Sequence, residues 1–176
     1  GAVAEAFDVQ AVSALESGLA AYWYPQYLAT VVIAVDREQT DAHIESWSDL
    51  PAAGATVGYN DANGSEEMLT AAIAYGLEGD AFSLGQATDL LAALHANGHL
   101  VRNTFDTPIA ICFDYQAVAL IKDGRNMEII VPREGTFTYT KGLLSNTEIP
   151  FADDAGAALL AAGLRLPDGR CDDALY

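Results

Sequence analysis

The chain has 176 residues, 51% of them apolar and 19% charged, which suits one globular domain or a compact pair and leaves no disordered block. Its 25 acids against 8 bases give a formal charge of −17. Nucleic acids and anionic membranes are gripped mainly through Lys and Arg, so neither is expected as a partner, and no apolar run reaches the length of a membrane span.

In chain order, Val9, Val12, Leu15 and Leu19 recur at helical steps and predict a helix over 9–20, weakened by Gly18. An aromatic cluster follows, Tyr22, Trp23, Tyr24 and Tyr27, in which Pro25 breaks any helix. Ala29 to Val35 (ATVVIAV) is a β-branched apolar run, read as a strand buried on both faces, as in a parallel sheet. Ile44 to Leu50 reads as a short helical turn ended by Pro51, and Ala55 to Tyr59 as a second strand. The polar turn Asn60 to Gly64 leads to Ser65, expected to cap a helix with Glu66 and Glu67 in its first turn.

Ala87 to Ala96 is a further amphipathic helix closed by Asn97-Gly98, and His99 to Arg102 a third strand. Ile109 to Phe113 is the fourth strand, with Asp114 placed to cap a helix over 115–122. Met127 to Val131 is the fifth, with Phe137 to Tyr139 extending it after a bend. A helix over 153–162 closed by Gly163 and a turn-rich, loosely held tail from Leu164 complete the reading. The expected fold is α/β, a mostly parallel five-stranded sheet flanked by helices.

In such a sheet, ligands bind beyond the carboxyl ends of the strands. Tyr59 to Ser65, with Tyr59, Asn60, Asn63, Gly64 and Ser65, is one candidate: a helix N-terminus there offers free N–H groups to an anion. A plain polar turn with a serine cap is the equal alternative. Asp114 and Tyr115 form a second candidate, a carboxylate and a phenol able to grip an amine or hydroxyl, unless Asp114 merely caps its helix. The loop 103–107 is a third, read first as an ordinary surface turn. The aromatics at 22–27 could stack on a ligand, but read first as packing.

Signatures of catalysis are missing: there is no G-x-S-x-G, no G-x-x-x-x-G-K-[ST] and no H-E-x-x-H. His43, His95 and His99 lack metal-ligand spacing with each other or with the cysteines. No catalytic residue, metal or cofactor is therefore assigned. Cys112 sits in an apolar run and reads as buried core; an oxidising compartment would be needed for it to pair with Cys171. No signal peptide is visible, and a start at Gly1 leads us to expect a processed or excised piece.

Four segments together resemble the type II periplasmic-binding-protein fold, in the group of extracellular solute-binding proteins that serve ABC importers. They are VVIAV at 31–35, SWSDL at 46–50, ATVGYNDANGS at 55–65, and IAICFDYQAVALIKDG at 109–124 followed by IIVPREGT at 129–136. The resemblance implies an α/β second lobe over 28–140 with its hinge strands, flanked by remnants of a first lobe at 1–27 and 141–176. It further implies a small-molecule ligand, closure of two lobes about paired hinge strands, a membrane permease as partner, and a periplasmic or cell-surface location. It maps ligand contacts onto 59–65 and onto Asp114 and Tyr115. The same fold in the extracellular part of a signalling receptor is the alternative.

Overall fold

The structure is a computed structural model that describes residues 2–6, 9–60, 65–79, 84–150 and 155–176; side chains are described from Ala11 onward, without those of residues 12 and 65–68. The chain divides into two compact units. One comprises Gly1–Ala4 with Val31–Phe137, the other Glu5–Thr30 with Thr138–Tyr176. In chain order the elements are β1 (Ala2–Ala6), α1 (Val9–Glu16), β2 (Tyr22–Asp36), a 3-10 turn (Trp47–Ala52), β3 (Val57–Tyr59), α2 (Ser65–Glu78) and α3 (Gly85–Ala96). Then come β4 (Leu100–Arg102), β5 (Ile109–Phe113), α4 (Asp114–Lys122), β6 (Met127–Ile130), β7 (Gly135–Ser145) and α5 (Gly156–Ala162).

The first unit is the α/β body. β3 pairs parallel with β4 and with β5. β2 lies between β5 and β6 and runs antiparallel to both, with Ile33 opposite Ile111 on one side and Ile130 on the other. β6 therefore points the same way as β3, β4 and β5. Of β2 to β6 in this seven-stranded sheet, four share one direction and β2 alone opposes them. The double-sided burial of VVIAV thus comes from a central position under helices, not from parallel neighbours.

Strand alternation sorts the core into two layers. Val32, Ala34, Ala110 and Cys112 meet Ala117 of α4 and Met127, with Leu120 and Ile121 packed alongside. The opposite face, represented by Ile111, meets Leu69, Ile73 and Leu91 of α2 and α3. Each large side chain buried this way contributes roughly 1.5–3 kcal/mol.

Two motifs far apart in sequence lock together here. The Trp47 side chain is fully buried, and its indole N–H donates to the Gly135 carbonyl at 2.9 Å. The Glu134 carboxylate accepts from the Trp47 N–H at 3.3 Å, and the Asp49 carboxylate from the Ser46 N–H at 2.9 Å. Together they satisfy donors that the start of a helical turn leaves over. At the end of β2, the buried Asp36 carboxylate accepts two hydrogen bonds from Arg125, at 3.0 and 2.8 Å, and Arg125 also donates to the carbonyls of Phe105 and Thr107. Burial alone would raise the Asp36 pKa; hydrogen bonds from Arg125, Gln39 and the Glu38 N–H outweigh it and hold the carboxyl below its ordinary value.

In the second unit, residues 22–30 of β2 pair antiparallel with 138–145 of β7, with a register shift between Pro25 and Tyr27. The aromatic segment is therefore strand. Pro25, which has no N–H, lies opposite Gly142 at the border of that shift, which falls at Gln26. The Thr30 and Thr138 hydroxyls meet at 2.7 Å in a buried pair, and the Arg165 guanidinium also donates to Thr30. The tail is not loosely held: the Leu28 N–H donates to the Arg165 carbonyl at 2.8 Å, and Leu166 is buried. α1 stops at Glu16, ahead of Gly18 at φ 73°. β7 runs on to Ser145, beyond the Tyr139 that its sequence predicts.

Candidate ligand-binding site

Because β3, β4 and β5 are parallel and paired, their carboxyl ends form one edge of the first unit. Tyr59 lies opposite Arg102 across one ladder and opposite Ile111 across the other. Asn60 follows Tyr59 directly, and Asp114 and Tyr115 follow the last residue of β5. The edge thus gathers Tyr59, Asn60, Asp114 and Tyr115 from segments far apart in sequence. Asn63 and Gly64 lie outside the described residues. Ser65 opens α2 as its first residue, and its side chain is likewise outside the described set.

Tyr59 is largely buried, and its phenol oxygen accepts from the Arg102 Nε at 3.0 Å. The guanidinium also stands over the Tyr59 ring, 5.9 Å from its centroid. Asn103, next along, has φ 60°, the one left-handed residue other than glycine among the described residues. That sharp bend lets the Thr104 N–H donate to the Tyr59 carbonyl at 3.2 Å. β3 makes room for the returning loop at Gly58: a Cβ there would come within 2.5 Å of the Thr107 Oγ1. The loop 103–107 is consequently a structural brace. Thr107 donates to the Ile109 carbonyl at 2.7 Å, and Arg125 ties down its carbonyls.

Asp114 does not cap α4. Phe113 occupies the N-cap position, and the Gln116 Oε1 accepts from its N–H at 2.9 Å. Asp114 is helical, 2% exposed, and its carboxylate accepts from the Tyr115 N–H at 2.9 Å. The Phe113 and Tyr115 rings stack with centroids 5.7 Å apart and planes 8° from parallel. Cys112, just beneath, is fully buried. Burial first, then the Asp114 charge, push its thiol pKa up to about 12, far from any nucleophilic range. Both cysteines are free thiols. Among the described residues no group of three or more His, Cys, Asp or Glu side chains could hold a metal.

Beneath the edge, Tyr59, Leu69, Ile73, Leu91 and Ile111 line an apolar cavity of about 60 Å³. That is far below the ~300 Å³ at which solute pockets begin. The arrangement therefore offers a polar and aromatic edge for contact, not an enclosed chamber. Arg102 is the edge residue that sequence reasoning passed over. Its signal was a cation at the carboxyl end of a strand in a chain with only eight bases.

A profile for the family described as bacterial extracellular solute-binding protein matches residues 2–160. In structure the chain is similar to the spermidine/putrescine ABC transporter substrate-binding protein of Streptococcus pneumoniae. Identity is 14% and the TM-score 0.58, over 83% of this chain and 53% of that one. It is also similar to a periplasmic binding protein of Actinobacillus pleuropneumoniae with fructose-6-phosphate bound, at 20% identity and a TM-score of 0.55, over 78% and 48%. The sulfate-binding protein of Mycobacterium tuberculosis matches at 16% and 0.56, over 89% and 65%. The chain spans about half the length of the first two. No curated protein matches it in sequence. At these identities the likenesses show a shared fold, the α/β lobe of the type II periplasmic-binding proteins.

Proposed function

The chain belongs to the bacterial extracellular solute-binding protein family, and from that premise we propose that it captures a small molecule outside the cytoplasm for delivery to the membrane permease of an ABC importer. It works by binding, and no bond is made or broken. The observation that carries this reading is the parallel pairing of β3 with β5, whose carboxyl ends run into Tyr59-Asn60 and Asp114-Tyr115. Asn63, Gly64 and Ser65 complete the proposed contact loop. The Asp114 carboxylate accepts from the Tyr115 backbone N–H.

Residues 28–140 then act as one solute-binding lobe, with β2 and β7 as the strands by which the chain enters and leaves it. A solute that touches two lobes at once binds the closed arrangement better than the open one and shifts the population towards it. A periplasmic or cell-surface location accords with the family. No helix among the described residues is long and apolar enough to cross a membrane.

A thermal-shift screen of the protein against oxyanions, polyamines, ferric chelates and sugars tests the proposal. A true solute at 100 times its dissociation constant stabilises by about 2.7 kcal/mol. One class should raise the melting temperature; no shift with any class would overturn the reading.

A further inference from the structure

The carboxyl edge is polar, but the space directly beneath it is not. Tyr59, which ends β3, also walls the cavity of about 60 Å³ that lies against α2 and α3. Ile73 and Ile111 are fully buried and Leu69 nearly so, and they form its inner wall. Leu91 of α3 and Leu100 of β4 are half-buried and stand where it nears the surface. Among its lining side chains only Thr70 and the Tyr59 phenol carry a polar atom. Leu69 and Ile73 lie about one and two turns into α2, which begins at Ser65 of the proposed contact loop. The edge therefore presents polar groups at its rim and hydrocarbon just below.

The Tyr59 phenol is already engaged, its oxygen accepting from the Arg102 Nε at 3.0 Å. A buried water makes about three hydrogen bonds, and walls of hydrocarbon give it too few, so such a hole stays dry. A dry hole costs stability in proportion to its volume, because its walls lack partners for their dispersion contacts. A hydrocarbon group that enters restores those contacts and leaves water behind. Size sets which group can enter. An apolar cavity of about 150 Å³ takes benzene, a ring of six carbons. In proportion, a cavity of about 60 Å³ takes roughly two or three carbons, an ethyl or propyl group and not an aromatic ring.

Resting on the solute-binding reading, we propose that the solute is a small amphiphile, with a polar head at the carboxyl edge and an alkyl group of roughly two or three carbons seated in this cavity. Tyr59 is the boundary between the two, its ring in the cavity wall and its phenol at the rim.

Methyl-resolved NMR of the full chain tests this with two kinds of probe. Xenon, apolar and without a head, should shift the methyl signals of Ile73, Leu91 and Ile111 to saturation. It should leave those of Val32, in the opposite core layer, unmoved. The second set is primary alcohols, amines and carboxylates of increasing chain length. In at least one series the affinity read at the same methyls should rise about fourfold for each CH₂ group. It should stop rising once the chain outgrows the cavity. Leu91→Phe and Leu100→Phe, which fill the cavity from two sides, should each abolish the xenon shifts and the dependence on chain length. Xenon shifts without chain-length dependence in any series would mark a mere packing void and sink this inference. An absent xenon response would sink it too. A solute that raises the melting temperature in the thermal-shift screen yet leaves the cavity methyls still would sink it and leave solute capture intact. No shift from any solute in that screen overturns both.

Discussion

The indole N–H of Trp47 donates to the carbonyl of Gly135 across 88 residues of sequence, and α2 passes so close to the pair at Gly76 that a side chain there has no room. A Cβ on Gly76 would lie 2.5 Å from the Gly135 oxygen and 2.6 Å from the Trp47 Nε1. Helix propensity alone favours Gly76→Ala by up to about 1 kcal/mol. The steric clash involves a backbone carbonyl and should win, so the variant loses roughly 1–3 kcal/mol. Urea denaturation reads the sign directly. A stabilised Gly76→Ala would show that the Trp47 contact is looser than described.

Acid should loosen the protein partly through Asp36. Its folded pKa lies below the unfolded value, so its contribution is fully present above the unfolded pKa of about 3.8 and fades as pH falls through the folded one. Asp36→Asn should therefore be less stable at neutral pH and show a shallower loss of stability below about pH 4. Arg125→Met leaves the carboxylate buried without its main partner and should cost about 3–5 kcal/mol at pH 7. Equilibrium unfolding at pH 3, 5 and 7 checks both. Parallel pH profiles for parent and Asp36→Asn would refute the assignment.

The two thiols should report differently on folding. Burial holds Cys112 near pKa 12, whereas Cys171 is part-exposed. A disulfide reagent at pH 8 should titrate one thiol in the native protein and two in denaturant. Rapid native labelling of both would contradict the burial of β5.

The threonine pair in the second unit allows a double-mutant cycle. Thr138→Val takes one partner from the Thr30 hydroxyl, which keeps its bond from Arg165, and should cost about 0.5–1.5 kcal/mol. Thr30→Val should cost more, because Arg165 also donates to Thr30. The double variant should cost less than the sum of the two, a non-zero coupling that denaturation curves resolve. Simple additivity would mean that the hydroxyls do not bond.

Much of the α/β body could be read from the sequence. β5 spans Ile109 to Phe113 just as its apolar run predicts, and α3 ends at the Asn97-Gly98 cap. Such elements announce themselves through local patterns. What escaped depends on partners far away. Tyr22 to Tyr27 is strand because β7 pairs with it through a register shift, and Pro25 hides that pairing. The reach of β7 to Ser145 and the anchoring of Arg165 beside Leu28 have the same origin. At the edge, Tyr59 and Tyr115 were visible as polar aromatic residues after strands. The inward turn of Asp114 was not, because Gln116 took the capping role that its position suggested. Arg102 gained meaning only when the β3 ladder set it beside Tyr59.

The place of β2 between β5 and β6 bears on how the chain is made. During synthesis Val31 to Val35 leaves the ribosome early, yet the ladders on its two sides wait for Phe113 and Ile130. Until then a greasy ribbon with two unsatisfied margins stands open to other nascent chains. Assembly that relies on such distant pairings is slow. A chaperone that shelters this stretch until the later strands arrive should therefore raise the yield of folded protein.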